Sequence, residues 1–182
     1  MLIKDKLSLN EPYILQVGRF DKNKNQINVI KAMNSTNIPV VFVGGPDPME
    51  LEYYEKCKKI ANKNIYFLGW LNNDDPLLAS AYKNAKVVIL PSYKEIFGNS
   101  LIEGGIVGAN LVATKELPIE ELGIKEYCYT IDPSNIQQIR DVLTYAYDSP
   151  KSNNTQKLFL KLFSWESVVK KYVDIYKQLL YE

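Results

Sequence analysis

Histidine is absent from the 182 residues, which removes the commonest general base and the commonest metal ligand together. Cysteine is scarce. Cys57 and Cys128 stand far apart, in no metal-binding spacing, and read as the reduced thiols of a cytoplasmic chain. Excess charge is missing too: 22 Lys and Arg against 21 Asp and Glu leave a formal net charge of +1. That provides no field for nucleic acid or an acidic membrane. No apolar run reaches membrane-span length, and the first residues do not form a signal peptide. Two phosphate motifs are also missing. No G-x-G-x-x-G follows the first predicted strand, which disfavours a dinucleotide oxidoreductase, and no loop ends in Gly-Lys-Ser/Thr.

What is present is an alternation. Short apolar runs, YILQVG (13–18), PVVFVGG (39–45), NIYFLGW (64–70), KVVIL (86–90), NLVAT (110–114) and YCYTI (127–131), read as buried strands. Between them lie stretches of helical spacing. QINVIKAM places Ile27, Ile30 and Met33 on one stripe; residues 48–62 do so with Leu51, Tyr54 and Cys57; residues 74–85 with Leu77, Leu78, Ala81, Tyr82 and Ala85. Residues 98–109 form a further helix, PIEEL (118–122) a short turn or helix, and Ser134 caps a helix to about residue 148. Six strands, apolar on both faces and alternating with amphipathic helices, predict an α/β fold. It is a Rossmann-like three-layer sandwich: a six-stranded, mostly parallel sheet with helices on both faces. Residues 1–12 read as a lead-in or linker and 13–150 as the domain. Residues 151–182, with helices divided near Ser164, read as a C-terminal tail packing on it.

The stretch around which these elements are organised is PSYKEIFGNSLIEGG (91–105). It reads as strand, loop, helix N-terminus. Such an end carries free N–H groups and the positive pole of the helix dipole, and both favour an anion. Arg19 follows the first strand and Lys24 precedes the next helix, so both belong to the rim where ligands of such sheets bind. An Arg fork and a Lys point charge suit phosphate oxygens; a solvated basic loop is the plainer alternative. Glu103 stands three residues after Ser100 and closes a capping box, or accepts from a ligand. Glu95 is a loop carboxylate in solvent, or a ligand contact. The two carboxylates together also suit an acid–base pair for hydrolysis.

In order along the chain, the pieces VGRFDKNKN, VVFVGGP, NIYFLGWL, AYKNAKVVILPSYKEIFGNSLIEGGIVGANLVAT, PIEEL, DPSN and FSWESVVKKYVDIY resemble the C-terminal domain of family-4 retaining glycosyltransferases of the GT-B fold. The most specific piece is E-x-F-G-x-x-x-x-E, preceded by Pro-Ser and followed by Gly108. The resemblance implies that Arg19 and Lys24 hold the diphosphate of a nucleotide-sugar donor, that Glu95 lies against the donor sugar and that Glu103 takes the ribose hydroxyls. The amides of Asn99, Ser100 and Leu101 approach the sugar and phosphates, Leu71 borders the base, and Glu121 has a structural role. Glu95, Arg19 and Lys24 are thus the expected catalytic residues. The donor-binding set is Gly18, Arg19, Lys24, Leu71, Glu95, Phe97, Gly98, Asn99, Ser100, Leu101 and Glu103, with no metal and no cofactor. Two departures stand out. Asn110 replaces a frequent Pro. Gly104 and Gly105 replace Ala and Met, at roughly 1 kcal/mol of helix propensity per Gly.

The implied function is the donor-binding half of a retaining glycosyltransferase of polysaccharide biosynthesis. It transfers a hexose from a nucleotide-diphosphate sugar to a glycan or lipid-linked acceptor. The expected partners are the donor and a missing N-terminal, acceptor-binding domain, without which this half is inactive; nucleic acid is not expected. Peripheral membrane association of the full enzyme at the inner face of the membrane, and a homodimer through an exposed domain face, are further expectations. Alternatives are a non-catalytic nucleotide-binding module and a nucleotide-sugar epimerase.

Overall fold

In the computed structural model, which describes residues 3–181, the apolar runs form β1 (Tyr13–Val17), β2 (Val40–Val43), β3 (Ile65–Phe67), β4 (Ala85–Leu90), β5 (Asn110–Thr114) and β6 (Cys128–Ile131). They make one six-stranded sheet in the order β3-β2-β1-β4-β5-β6. Every neighbouring pair is parallel. Parallel strands need crossover connections, and the helices supply them. These are α2 (Gln26–Met33), α3 (Leu51–Ile60), α4 (Pro76–Asn84), α5 (Asn99–Ile106) and α6 (Ile136–Asp148), with α1 (Ile3–Leu7) before β1 and α7 (Asn153–Phe163) and α8 (Trp165–Tyr181) at the end.

Alternation along each strand divides the interior into two cores. In β4, Val88 and Leu90 face α4, α5 and α7 through Leu78, Ala81, Leu101 and Phe159. Val87 and Ile89 face α2, α3 and α6 through Ile30, Met33, Cys57, Ile139 and Leu143. Both faces of the central strands are covered, which is why those strands are apolar throughout. Burial raises the thiol pKa of Cys57 to about 11 and of Cys128 to about 12, and both are free.

Several local readings are corrected. The described part of the stretch read as a lead-in packs against the elements that follow it. Ile3 is fully buried and its N–H donates to Ser80 Oγ at 3.2 Å, while Pro12 O accepts from Tyr147 Oη. One helical turn is too short for a period to show in sequence. Met1, Leu2 and Glu182 lie outside the described residues. In α3 the inward stripe is Tyr53 and Cys57, and Leu51 is 56% exposed. The cap of α6 is Asn135, whose side chain accepts from Gln138 N–H, because Ser134 N–H is held by Asp132 Oδ1 in the preceding turn.

The departures have structural reasons. A Cβ on Gly105 would lie 2.1 Å from Phe159 Cδ1, and one on Gly104 would lie 2.7 Å from Val88 Cβ. The glycines therefore let α7 and β4 pack directly on the α5 backbone, offsetting their propensity cost. Asn110 Nδ2 donates to Ala146 O and Ser149 O at 2.7 and 3.0 Å. It thereby satisfies carbonyls at the end of α6 that have no intrahelical partner. The tail is in two parts: α7 buries Phe159, whereas α8 leaves Trp165, Tyr172, Tyr176 and Leu179 largely exposed.

Candidate functional site

The strand order reverses between β1 and β4. The chain leaving β1 continues to α2 on one face, and the chain leaving β4 continues to α5 on the other. A crevice forms between loops that diverge in this way. Here the two loops are tied across it. Asn23 accepts from the Tyr93 and Lys94 amides and donates to Lys94 O, at 2.9, 2.9 and 3.1 Å. Asn25, fully buried with a left-handed φ of 56°, donates to Pro91 O and Pro133 O. Between them, Lys24 is fixed at both ends of its backbone. Its N–H donates to Asp21 Oδ1 at 2.8 Å, and its carbonyl accepts from Gln16 Nε2 at 2.7 Å.

The far wall is the start of α5. Gly98 is its N-cap, with φ 73° and ψ 52°, and makes no side-chain capping bond. A side chain there would meet both the left-handed backbone and Leu90 Cδ2, 2.8 Å from the added Cβ. Ser100 lies inside the helix rather than at the cap, so the expected Ser100–Glu103 capping box is not formed. Leu101 and Ile102 N–H groups both donate to Gly98 O. The amides of Phe97, Gly98, Asn99 and Ser100 have no acceptor among the described residues. All four residues line the crevice, and unpaired donors at a helix start suit an anion.

Gly18, Lys24, Glu95, Phe97, Gly98, Asn99, Ser100 and Glu103 line one cleft of about 570 Å³, with Asn73, Tyr82 and Lys94. A second, of about 390 Å³, shares Gly18, Lys24 and Asn73 with it and adds Arg19, Trp70 and Leu71. The two run together along the ends of β1 and β2. Leu101 is the exception among the expected residues: its side chain is fully buried and its amide is already bonded to Gly98. A larger concavity, about 710 Å³, lies over α2 and α3 and holds none of the expected residues. It also holds the starts of α2 and α3, neither with a side-chain cap, but it lies away from the point between β1 and β4 where the strand order reverses, and the crevice at that point is the better candidate despite its smaller size.

The charges are arranged in pairs. Lys24 Nζ lies 2.8 Å from Glu95 Oε2, with side chains only 28% and 15% exposed. Ser92 Oγ and the Ile96 amide also donate to Glu95, each at 3.3 Å. Burial by itself raises the Glu95 pKa, but the Lys24 hydrogen bond and charge, with those two donors, outweigh it and hold the carboxyl below its ordinary range. That is the opposite of what a general acid needs, and it weakens the hydrolytic reading of Glu95 with Glu103. Arg19 Nε is engaged by Asp47 at 3.0 Å and Asp21 at 3.4 Å, and the side chain is half exposed. Glu103 is exposed; its carboxylate acts on the Tyr82 hydroxyl through charge and hydrogen bonding, although that hydroxyl has no hydrogen bond of good geometry.

Asp21, Asn23, Asn25, Asp47 and Tyr82 are the site residues that sequence reasoning passed over. The D-x-x-K spacing of Asp21 and Lys24 was a signal, since Asp accepts from backbone amides a few residues on. Asp47 and Tyr82 carry no local signal. Among the described residues, no group of three or more Cys, Asp or Glu side chains is placed to hold a metal ion, and no helix is long and apolar enough to cross a membrane.

Known proteins share this architecture. The chain superposes on sucrose-phosphate synthase from Thermosynechococcus elongatus with a TM-score of 0.80 at 23% identity, over 97% of this chain and 48% of that one. A crystal structure of HepE from Anabaena in complex with UDP and glucose gives 0.79 at 20% identity, over 97% and 50%. At such identities the likeness shows the fold, and the chain corresponds to about half of each of those two chains. In sequence, the chain is 24% identical over 188 aligned residues to the O-antigen chain mannosyltransferase C of Escherichia coli, covering 95% of this chain and 48% of that protein. A D-rhamnosyltransferase of Pseudomonas aeruginosa is 26% identical over 168 residues, covering 86% and 42%. The chain spans about half the length of the curated relatives it matches. Residues 2–158 match the family profile described as glycosyl transferases group 1. The chain belongs to the group 1 glycosyl transferases.

Proposed function

We propose that this chain binds the nucleotide-diphosphate sugar donor of a retaining glycosyltransferase. In this reading it forms one side of the catalytic cleft, and an acceptor-binding domain of the kind that completes its relatives forms the other. The observation that carries the reading is the set of unpartnered amides at Phe97, Gly98, Asn99 and Ser100, facing Lys24 across the crevice. The relative from Anabaena, crystallised with UDP and glucose, supports the ligand class. The O-antigen mannosyltransferase and D-rhamnosyltransferase relatives support a hexose transferred to a growing glycan or lipid-linked acceptor.

The mechanism proposed is electrostatic. As the sugar–phosphate bond breaks, charge builds on the departing diphosphate. Lys24, the Arg19 guanidinium and the helix amides are donors already in place to receive it, so no metal is required. Glu95 orients the sugar, and Glu103 accepts from the ribose hydroxyls. Calorimetry of the chain with UDP, GDP and ADP tests the reading. Binding of one of the three is expected; no detectable heat with any of them removes it. Transfer itself is expected only when the acceptor-binding half is supplied. Nucleotide binding without transfer in that reconstituted pair assigns the chain to a non-catalytic module instead.

A further inference from the structure

Tyr82 presents a contradiction that packing does not explain. Its ring lies on the inner side of α4, 5% exposed, in the core with Leu78 and Leu101. Its hydroxyl is buried and has no hydrogen-bond partner among the described residues. A buried hydroxyl left unpaired is destabilising, and a phenylalanine would fill the same space without that cost. Yet Tyr82 also forms part of the cleft wall, beside Glu103 on α5. The Glu103 carboxylate reaches this hydroxyl electrostatically. Burial first, then the Glu103 charge and a hydrogen-bonding contribution from the same carboxylate, push the phenol pKa upward, so the group is a proton donor close to an acceptor with which it has not formed a bond of good geometry.

We propose that Tyr82 is a positioning residue that acts through Glu103: its hydroxyl closes onto the back of the Glu103 carboxylate when a ligand's vicinal hydroxyls occupy the front. A carboxylate has about four acceptor positions. Two vicinal hydroxyls of a ribose use one on each oxygen, and Tyr82 takes a third. The donated bond fixes the rotamer of an otherwise exposed side chain, so less freedom is lost when the ligand arrives. The unsatisfied hydroxyl of the empty cleft is then satisfied only in the complex. The proposal rests on the nucleotide-sugar reading of the cleft.

The test is Tyr82→Phe, which removes one oxygen and no packing atom, with binding of UDP, GDP and ADP followed by calorimetry on the full chain. For whichever nucleotide the wild type binds, affinity should fall roughly tenfold, equivalent to about 1.4 kcal/mol. The thermal midpoint should stay level or rise. The same comparison with the 2′,3′-dideoxy form of that nucleotide, and again in a Glu103→Ala background that removes the acceptor, should show less than a twofold difference between Tyr and Phe. A purely structural role would not produce that dependence on ligand hydroxyls. Equal affinity of Tyr82→Phe and wild type overturns the proposal while leaving the cleft reading intact. A tenfold loss that persists with the dideoxy ligand overturns it as well. Absence of binding by the wild type to all three nucleotides overturns the cleft reading, and this proposal with it.

Discussion

Lys24→Met is the most informative single change, because Lys24 has two jobs. It lines the same cleft as the bare amides of α5, and it is the partner of Glu95 at 2.8 Å. A charge-assisted hydrogen bond contributes about 1.5–3 kcal/mol, so losing the phosphate contact alone should weaken UDP binding roughly 10- to 100-fold. The change also exposes Glu95. Two unit charges 4 Å apart interact by about 4 kcal/mol at an effective dielectric of 20, and by about half that at twice the distance. An unmasked carboxylate beside a diphosphate therefore adds roughly a further tenfold loss. This yields a prediction with a sign. The double variant Lys24→Met, Glu95→Gln should bind UDP more tightly than Lys24→Met alone, by about tenfold, since Gln carries no charge to repel phosphate. Glu95→Gln alone should bind plain UDP at least as well as wild type, because it frees Lys24, while donor use in a reconstituted enzyme falls. Calorimetry at low salt measures all four proteins. UDP affinity of folded Lys24→Met within twofold of wild type would refute the reasoning, as would an equal loss in the single and double variants.

Three further outcomes follow from the same geometry. Glu103→Ala should weaken nucleotide binding roughly tenfold with an unchanged melting temperature, because the capping box that would tie Glu103 to stability is not made; a lowered melting temperature with unchanged affinity reverses the assignment. Gly105→Ala would put a Cβ 2.1 Å from Phe159 Cδ1; it should cost about 1–3 kcal/mol of stability, lowering the midpoint about 2–4 °C per kcal/mol in a chain of this size. Acid should erode the Lys24–Glu95 contribution. The Glu95 pKa in the folded protein is below its ordinary value of 4.5, so the contribution is complete above that pH and disappears as pH falls through the folded value. Urea midpoints of wild type and Glu95→Gln should therefore draw together as the pH is lowered below the ordinary value of 4.5, and a constant gap would count against the pair.

The sheet was legible because each of its strands is a short apolar run closed by polar or glycine residues, and the order of those runs carried the family resemblance. The site was legible where chemistry and position coincide, as with Lys24, Glu95 and the α5 terminus. What stayed hidden depended on neighbours distant in sequence. Ser100 and Glu103 have capping-box spacing, but Gly98 in a left-handed conformation starts the helix two residues before Ser100 and leaves the box open. Gly104 and Gly105 looked like a propensity cost until Val88 and Phe159 filled the space they leave. Asp47 reaches Arg19 from another strand's loop, and the orphaned hydroxyl of Tyr82 emerges only once α4 and α5 lie side by side.

The central claim is that the bare amides at the start of α5 are the anion site. It is tested most directly by following backbone amide resonances of the chain during a titration with UDP. Gly98, Asn99 and Ser100 should show the largest shifts, saturating together with the calorimetric affinity. Shifts confined to Lys31, Glu52 and Lys56 around the larger concavity, with those three amides unmoved at saturation, would contradict it.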